Sequence, residues 1–215
     1  MRSMFDQQLK TLNEEMLYMG GLCEDTIQQT IEALMSGDVK KARDLNNMMS
    51  QLTQQERSIE NICLKLLMQQ QPVARDLRTI SSSLKMVTDM ERIGIQACEI
   101  AEIIAAGNVV RATDKVDFQE LSDEVSHMVQ MAMMAYDKKD LNLADEVIKY
   151  DDVVDKLFCD IRGDLIDQLK DDTNDAECFI DMLMIDKYFE RIGDHAVNIA
   201  SWVKFSITGE IQIVE

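Results

Sequence analysis

Apolar residues recur every three to four positions along most of the chain, which is the spacing of an α-helix with one buried face. Near the C-terminus one helix side collects Ile185, Ile192, Ala196, Ile199 and Val203, which predicts a bundle core and not a cofactor-binding surface. Glycine, proline and clusters of polar residues separate the periodic stretches. The pattern predicts helices near residues 5–34, 38–70, 73–106, 116–136, 140–170 and 175–206, six in all.

The second half of this pattern repeats the first half. The segment ALMSGDVKKARDL at 33–45 aligns with AYDKKDLNLADEV at 135–147, and the tetrapeptide ERIG begins at both Glu91 and Glu190. The loops are short, so consecutive helices must run antiparallel. The sequence therefore predicts an all-α fold made of a tandem pair of antiparallel three-helix bundles. The predicted bundles comprise residues 1–107 and 108–215.

The composition agrees with a helical protein. Of 215 residues, 46% are hydrophobic and 29% are charged, and only one is proline. No apolar run is long enough to cross a bilayer and the N-terminus lacks the apolar core of a signal peptide, so we expect a cytoplasmic protein without membrane insertion. The five cysteines are widely spaced and odd in number, which predicts reduced, buried thiols and no disulfide framework.

The net charge of −18 argues against binding to nucleic acid or to anionic membranes, because their phosphate groups would be repelled. The charge is concentrated in the second half of the chain. Residues 1–107 carry a net charge of −4, from 11 Lys and Arg against 15 Asp and Glu, whereas residues 108–215 carry −14, from 11 against 25. So many carboxylates require cations, which are either bulk counterions around a solvated acidic face or bound metal ions.

Two pairs of acidic residues in the second half have the spacing of ligands on a helix. Glu190 and Asp194 are four residues apart in ERIGDHA, and Asp151 and Asp155 have the same spacing in YDDVVDKL on the preceding helix. Residues four apart share a helix face, so two facing pairs would form a box of carboxylates. A multivalent cation with oxygen ligands, such as iron, manganese or magnesium, would bridge this box. The alternative is that both pairs lie on solvated faces, where this spacing is common.

The first half of the chain lacks most of this box. Alignment of the repeats keeps only Glu91 and places residues without a carboxylate at the other three positions. Those residues are Met49, Thr53 and Ile95. A site that was lost and a site that never existed would give the same pattern. In either case the sequence predicts a metal site in the second bundle only.

Three segments resemble the PhoU family of phosphate-uptake regulators, and together they extend the resemblance over essentially the whole chain. They are FDQQLKTLNEEMLYMGGL, QQPVARDLRTISSSLKMVTDMERIG and YFERIGDHAVNIASWV. The resemblance implies the same tandem of three-helix bundles, and it implies iron or zinc, as single ions or multinuclear clusters, bound by D/ExxxD motifs. Magnesium and manganese are the alternatives. The matching ligands are Asp151, Asp155, Glu190 and Asp194, and the pattern is broken in the first bundle at Met49, Thr53, Ile95 and Gln96.

The resemblance further implies a regulator of phosphate uptake and phosphate homeostasis and not an enzyme. Family members act on the phosphate ABC transporter and on the phosphate-sensing histidine kinase, and they repress the phosphate-starvation response. We therefore expect the transporter ATPase and the kinase as partners, together with a homodimer. The alternatives are a structural helical scaffold or metal buffer, and a carboxylate-bridged metalloenzyme. Against the enzyme, Glu124 and His127 form the single ExxH motif, whereas a ferritin-like di-iron site needs two.

Two further sets of residues are candidates for auxiliary roles. His195 follows the ERIGD motif but lies about 100° away around the helix, so it is an auxiliary ligand, a group that orients a ligand, or a histidine hydrogen-bonded between helices. Arg78, Lys85 and Arg92 recur every seven residues, and with nearby Arg75 they form a basic stripe. The stripe faces an acidic patch on a partner, faces a second copy of the chain, or is simply solvated.

Overall fold

The chain folds into two three-helix bundles, which confirms the all-α tandem architecture predicted from the sequence. The computed structural model describes residues 2–69, 72–109, 116–171 and 175–210, and every regular element in these ranges is a helix. The helices are α1 (Arg2–Ser36), α2 (Val39–Asp44), α3 (Asn46–Gln69), α4 (Ala74–Ala106), α5 (Gln119–Lys138), α6 (Leu141–Asp171) and α7 (Ala176–Thr208). The long helices α1, α3 and α4 form the first bundle, and α5, α6 and α7 form the second.

The predicted helix over 38–70 is divided at Leu45 into the short α2 and the long α3. The backbone tightens there, because Leu45 N–H donates to the Ala42 carbonyl at 3.3 Å and Met48 N–H donates to the Leu45 carbonyl at 2.8 Å, both three residues back. Asn46 and Asn47 follow the break, and asparagine competes with the helix for backbone hydrogen bonds. The prediction of one unbroken helix was therefore wrong, whereas the equivalent α6 is continuous.

Glycine ends α4 where the sequence predicted. Gly107 has φ 87°, in the left-handed region that L-residues seldom adopt, and its N–H donates to the Ile104 carbonyl at 3.0 Å. Lys139 ends α5 in the same conformation without being glycine, with φ 53°. At the start of α2, the Asp38 carboxylate accepts hydrogen bonds from two backbone N–H groups, both at 3.0 Å, as a residue preceding a helix commonly does.

The apolar faces of the two bundles merge into one continuous core. The most extensive contact between any two helices is that of α4 with α7, one from each bundle, and α1 also packs against α5. None of the helices in the described ranges contains a stretch that is both long and apolar enough to cross a bilayer.

The methionine-rich segment of α5 lies in this core, as the sequence predicted for either a core or a subunit interface. Met128, Met131 and Met133 are buried, and Met134 is 40% exposed. Met133 packs onto Gly20 of α1, where an added Cβ would lie 2.4 Å from the methionine Cε. Gly20 therefore permits the close approach of α1 and α5, and so of the two bundles.

The glycine of each ERIG motif faces the second long helix of its own bundle. A Cβ added to Gly94 would lie 2.4 Å from Leu52 Cδ1, and one added to Gly193 would lie 3.3 Å from Val154 Cγ1. The repeat alignment makes these two contacts equivalent. The motif is therefore a packing device in both bundles, and its tolerance for a larger residue differs between them.

Replacing Gly94 with alanine is expected to destabilise the protein, whereas Gly193→Ala is expected to be neutral or slightly stabilising. At Gly94 the new Cβ would also lie 3.0 Å from Leu52 Cγ, so a fully buried leucine would have to move. Such overpacking costs about 1–3 kcal/mol, against a helix-propensity gain of about 1 kcal/mol for alanine over glycine. At Gly193 the propensity gain dominates. Urea unfolding of both variants measures the difference, and equal effects would contradict this interpretation.

Candidate metal centre

Four carboxylates of the second bundle lie together where α6 faces α7. They are Asp151, Asp155, Glu190 and Asp194, and they are called the carboxylate cluster below. The pKa of Asp151 is raised to about 6, first by burial and then by the negative charges of the other three members and of Asp152. The structure thus brings together the four side chains that the sequence predicted as ligands.

A close approach of α6 to α7 positions the cluster. Gly193 lies between Glu190 and Asp194 on α7, and an added Cβ there would lie 3.8 Å from an Asp151 carboxylate oxygen. Asp155 and Asp194 are exposed, whereas Asp151 and Glu190 are half-buried. Burial and the Glu190 charge also raise the pKa of Asp194. The cluster is therefore open to solvent on one side and electrostatically unfavourable without a cation.

Two basic side chains flank one end of the cluster. The Lys187 ammonium lies 2.5 Å from Glu190 Oε2, and the Glu190 side chain is only 14% exposed. Lys187 Nζ also lies 5.2 Å from the centre of the Phe158 ring, and the Arg162 guanidinium lies 5.3 Å from the same ring centre. A metal ion bound at Glu190 Oε2 would therefore have to displace an ammonium group that already neutralises this carboxylate.

The donor set suits a hard or borderline cation. Carboxylate oxygens are favoured by magnesium, manganese and iron, and zinc also accepts them although its closed sites are richer in nitrogen and sulfur. The side chains of the cluster do not converge on one position, since no group of three or more His, Cys, Asp or Glu within the described ranges is arranged to hold an ion. Binding would require the carboxylates to rotate toward a shared position.

A fifth carboxyl group, which the sequence did not single out, lies one helical turn before Glu190 on α7. Asp186 of α7 is fully buried, and neither of its oxygens has a hydrogen-bond partner among the described residues. Burial raises its pKa to about 8, against opposing effects of Arg162 and Lys187 and a further rise from Glu190. The four-residue spacing from Asp186 to Glu190 indicates that the two carboxyl groups share a helix face, but the sequence did not indicate that Asp186 is buried.

The first bundle uses the equivalent positions differently. Thr53 Oγ1 donates a hydrogen bond of 2.8 Å to Glu91 Oε1, so a hydroxyl group satisfies one oxygen of the remaining carboxylate. Met49 and Ile95 place half-buried apolar side chains at the other two positions. The Thr53–Glu91 contact connects the positions that match Asp155 and Glu190, which indicates that those two residues face each other.

His195 connects the two bundles. Its Nδ1 lies 2.9 Å from Asp89 Oδ1 of α4, and Asn198 Nδ2 donates to the same oxygen at 3.2 Å. The His195 side chain is half-buried, with 22% of its surface exposed. This is the arrangement of a histidine hydrogen-bonded between helices, with one ring nitrogen already engaged.

Three of the four residues of the basic stripe are exposed. Arg75, Lys85 and Arg92 are exposed, whereas Arg78 is half-buried. The Arg78 guanidinium lies against Gly209, the residue that ends α7, where an added Cβ would be 2.8 Å from one of its nitrogens. A cation at this position stabilises the negative end of the α7 dipole, so Arg78 contributes to packing between the bundles.

Both side chains of the ExxH motif, Glu124 and His127, contact Tyr150. The Tyr150 hydroxyl donates to Glu124 Oε2 at 2.5 Å, and the His127 ring meets the Tyr150 ring edge-on with centres 5.5 Å apart. None of the five cysteines, all of which lie in the described ranges, forms a disulfide bond. Cys23, Cys63 and Cys98 are buried and Cys178 is half-buried, but Cys159 is exposed, so the prediction of a buried thiol is wrong there.

Replacing Asp186 with valine is expected to stabilise the metal-free protein, by an amount that grows with pH. The pKa of Asp186 is about 8 in the folded protein and about 4 in an unfolded chain. Between these values the folded state keeps a proton that the unfolded state has released, so rising pH destabilises the wild type. Below about pH 4 both states are protonated and the contribution is constant.

Urea unfolding in the presence of a chelator, at several pH values, measures this effect. The advantage of the variant should be about 1–3 kcal/mol near pH 4, as is typical of an unpaired buried polar group. It should then increase with pH until about pH 8 and level off there. A difference that does not change with pH would contradict the assignment of the raised pKa to Asp186.

The PhoU domain matches this chain twice, over residues 16–104 and 118–203. It is 34% identical over 211 residues to the phosphate-specific transport system accessory protein PhoU homolog of Clostridium acetobutylicum, covering 97% of this chain and 96% of that protein. It is 32% identical over 209 residues to the Pseudomonas aeruginosa homolog of the same name, covering 95% and 86% respectively.

Two solved structures have the same fold. The crystal structure of PhoU from Pseudomonas aeruginosa superposes with a TM-score of 0.90 at 31% identity, over 96% of this chain and 100% of that one. The phosphate transport system regulatory protein PhoU from Streptococcus pneumoniae superposes with a TM-score of 0.89 over 98% and 100%, and at 23% identity this likeness concerns the fold alone. The paired domain matches and the identity along nearly the whole chain establish that this protein belongs to the PhoU family.

Proposed function

We propose that this protein is a cytoplasmic regulator of phosphate uptake and phosphate homeostasis, acting as a helical metal-binding adaptor and not as an enzyme. The observation that carries the proposal is the pair of PhoU domains, one in each bundle. Relatives that match nearly the whole chain are named accessory proteins of the phosphate-specific transport system. The proposed partners are the transporter ATPase and the phosphate-sensing histidine kinase, and the proposed effect is repression of the phosphate-starvation response.

The carboxylate cluster is the proposed metal site of the adaptor. Asp155 and Asp194 are exposed and would admit an ion from solvent, while Asp151 and Glu190 would hold it against the bundle. Iron or zinc is proposed, with magnesium or manganese as alternatives. Burial and the neighbouring negative charges raise the pKa of Asp151, and a bound cation would offset both effects. It would thereby stabilise one arrangement of α6 and α7 for a partner to recognise.

The exposed part of the basic stripe is a proposed partner surface. Lys85 and Arg92 are exposed on α4, seven residues apart, in a protein of net charge −18. An acidic patch on a partner would be attracted to this face and repelled by most others. A second copy of the chain is the other proposed occupant, which would give a homodimer.

Two other functions remain as alternatives. A structural scaffold or metal buffer would use the same fold and cluster without binding the transporter or the kinase. A carboxylate-bridged metalloenzyme has less support, because the ExxH residues Glu124 and His127 are engaged with Tyr150 and lie in one helix. Substrate turnover that depends on Asp155 and Glu190 would favour the enzyme.

Asp155→Asn and Glu190→Gln are each expected to lower the metal content of the purified protein at least tenfold. Each change removes a charged oxygen donor from the cluster while preserving the shape of the side chain. Elemental analysis for iron, zinc and manganese measures the outcome. Glu91→Gln is the matched control, because Glu91 occupies the position of Glu190 in the first bundle and is hydrogen-bonded to Thr53. Wild-type protein without metal, or metal content unchanged by both substitutions, would show that the site is assigned wrongly.

Reversing the charge of Lys85 and Arg92 together is expected to weaken binding to the partner that uses the stripe by about tenfold, since opposite charges would become like charges. Binding of the purified transporter ATPase and of the cytoplasmic part of the kinase is measured by biolayer interferometry, with and without added metal. Charge reversal of Arg57 and Lys65, which are exposed on α3, is the control.

The outcomes of the binding experiment separate the proposals. If neither partner binds the wild type under any metal condition, the regulator proposal fails and the scaffold or metal buffer is favoured. If a partner binds but both double variants bind equally well, the adaptor stands and its contact surface lies elsewhere.

A further inference from the structure

Exposed apolar side chains are concentrated at two places, the end of each bundle where its second and third long helices are joined. Of the eleven large hydrophobic residues that are exposed in the described ranges, four lie near the junction of α3 with α4 and three near that of α6 with α7. The first group is Leu64, Met68, Val73 and Leu77, and the second is Ile166, Ile180 and Met184. Exposed apolar side chains that cluster in this way are typical of interaction sites.

The first group forms one patch, because the two helices that carry it are antiparallel. Leu64 and Met68 are four residues apart, so they share a face of α3. The hydrogen bond from Thr53 to Glu91 sets the register between α3 and α4. The same register brings Met68 level with Leu77 near the start of α4.

The second group forms the equivalent patch in the second bundle. The contact between Val154 and Gly193 sets the register of α6 against α7, and this register brings Ile166 level with Ile180. The repeat alignment pairs Leu64 with Ile166. The two bundles therefore expose apolar residues at equivalent ends.

The charged residues around the two patches are opposite in sign. Among residues 64–77 that the structure describes, the exposed charged side chains are Lys65 and Arg75, both cations. Among the described residues of 164–184, four carboxylates and one ammonium group are exposed. They are Asp164, Asp167, Asp175 and Glu177, and Lys170. The first patch with its two cations is called the basic tip below, and the second patch with its carboxylates is called the acidic tip.

The two tips lie at opposite ends of the molecule, because α4 and α7 run antiparallel. Arg78, beside the basic tip, lies against Gly209, which ends α7. Asn108, beyond the end of α4, donates a hydrogen bond of 3.0 Å to Asp181, beside the acidic tip at the start of α7. The 33 residues of α7 span about 50 Å. The complementary tips therefore cannot meet within one molecule.

We propose that the protein associates head to tail, with the basic tip of one molecule docked on the acidic tip of a second copy. The apolar residues are buried at the centre of this contact, and Lys65 and Arg75 meet carboxylates at its rim. Each copy carries one tip of each kind, so the contact joins unlike surfaces and extends beyond a dimer. It differs from the proposed contact through Lys85 and Arg92, and it requires neither a metal ion nor a transporter component.

Sedimentation velocity over a wide range of protein concentrations tests the proposal. Each tip presents only a few apolar side chains, so the association is expected to be weak. At low ionic strength the average mass of the wild type should rise with concentration beyond that of a dimer, and added salt should lower it because the attraction between charges is screened.

Two double variants each remove one tip. Met68→Gln with Leu77→Gln removes apolar contacts of the basic tip, and Ile166→Gln with Ile180→Gln removes those of the acidic tip. All four residues are exposed and glutamine is a good helix former, so both variants should fold, which circular dichroism checks. Each variant alone should be monomeric, because every head-to-tail contact requires one intact tip of each kind.

An equimolar mixture of the two variants is expected to form a heterodimer and nothing larger. The first variant retains its acidic tip and the second retains its basic tip, so a single contact can form between them. Tyr18→Gln with Val153→Gln is the matched control, because both residues are exposed apolar residues near the middle of α1 and α6. This control should associate as the wild type does.

A wild type that stays monomeric or stops at a dimer would overturn the inference. A double variant that still dimerises alone would overturn it as well, because that dimer must use a symmetric contact or another surface. Failure of the mixed variants to pair, or loss of association in the control, would show that the tips are not the contact. None of these outcomes depends on metal content or on binding of the transporter ATPase or the kinase, so the proposed function is tested separately.

Discussion

The packing of α4 along α7 is the contact on which the rest of the structure depends. Each of these helices completes its own three-helix bundle, and together they form the most extensive contact between the bundles. Each of the two helices therefore has one face packed in its own bundle and another packed against the other bundle. The ERIG glycines face the second long helix of their own bundles, and the hydrogen bond from His195 to Asp89 connects the two bundles. Glu190 and Asp194 lie on the side of α7 that faces α6.

The two bundles show how one backbone plan supports different electrostatics. In the first, Thr53 donates a hydrogen bond to Glu91, and apolar residues fill the remaining positions. In the second, carboxylates occupy those positions, and Lys187 neutralises only one of them. Partial exposure makes the outer carboxylates tolerable, because solvent screens their repulsion. Asp186 has no such screening, so burial raises its pKa to about 8.

Much of the candidate site was predictable because it depends on local spacing. The i, i+4 pairs and the repeat alignment were sufficient to select Asp151, Asp155, Glu190 and Asp194, and the structure brings these four together. The same reasoning could not place Asp186, since whether a helix position faces core or groove depends on how three helices are rotated relative to each other. Arg78 is a similar case: its heptad spacing indicated a surface stripe, but the C-terminal end of α7 packs against it.

Hydrophobic periodicity, short loops and the internal repeat were enough to define the helices, their order and the tandem of bundles, because these features follow from contacts within a few turns of helix. The break at Leu45 was missed, since it reflects a balance of weak backbone preferences that no apolar pattern records. The way the bundles meet, with Gly20 beneath Met133 and His195 beside Asp89, was decided by the tertiary structure alone. Those residues are far apart in the chain, and only the assembled core determines which of them come into contact.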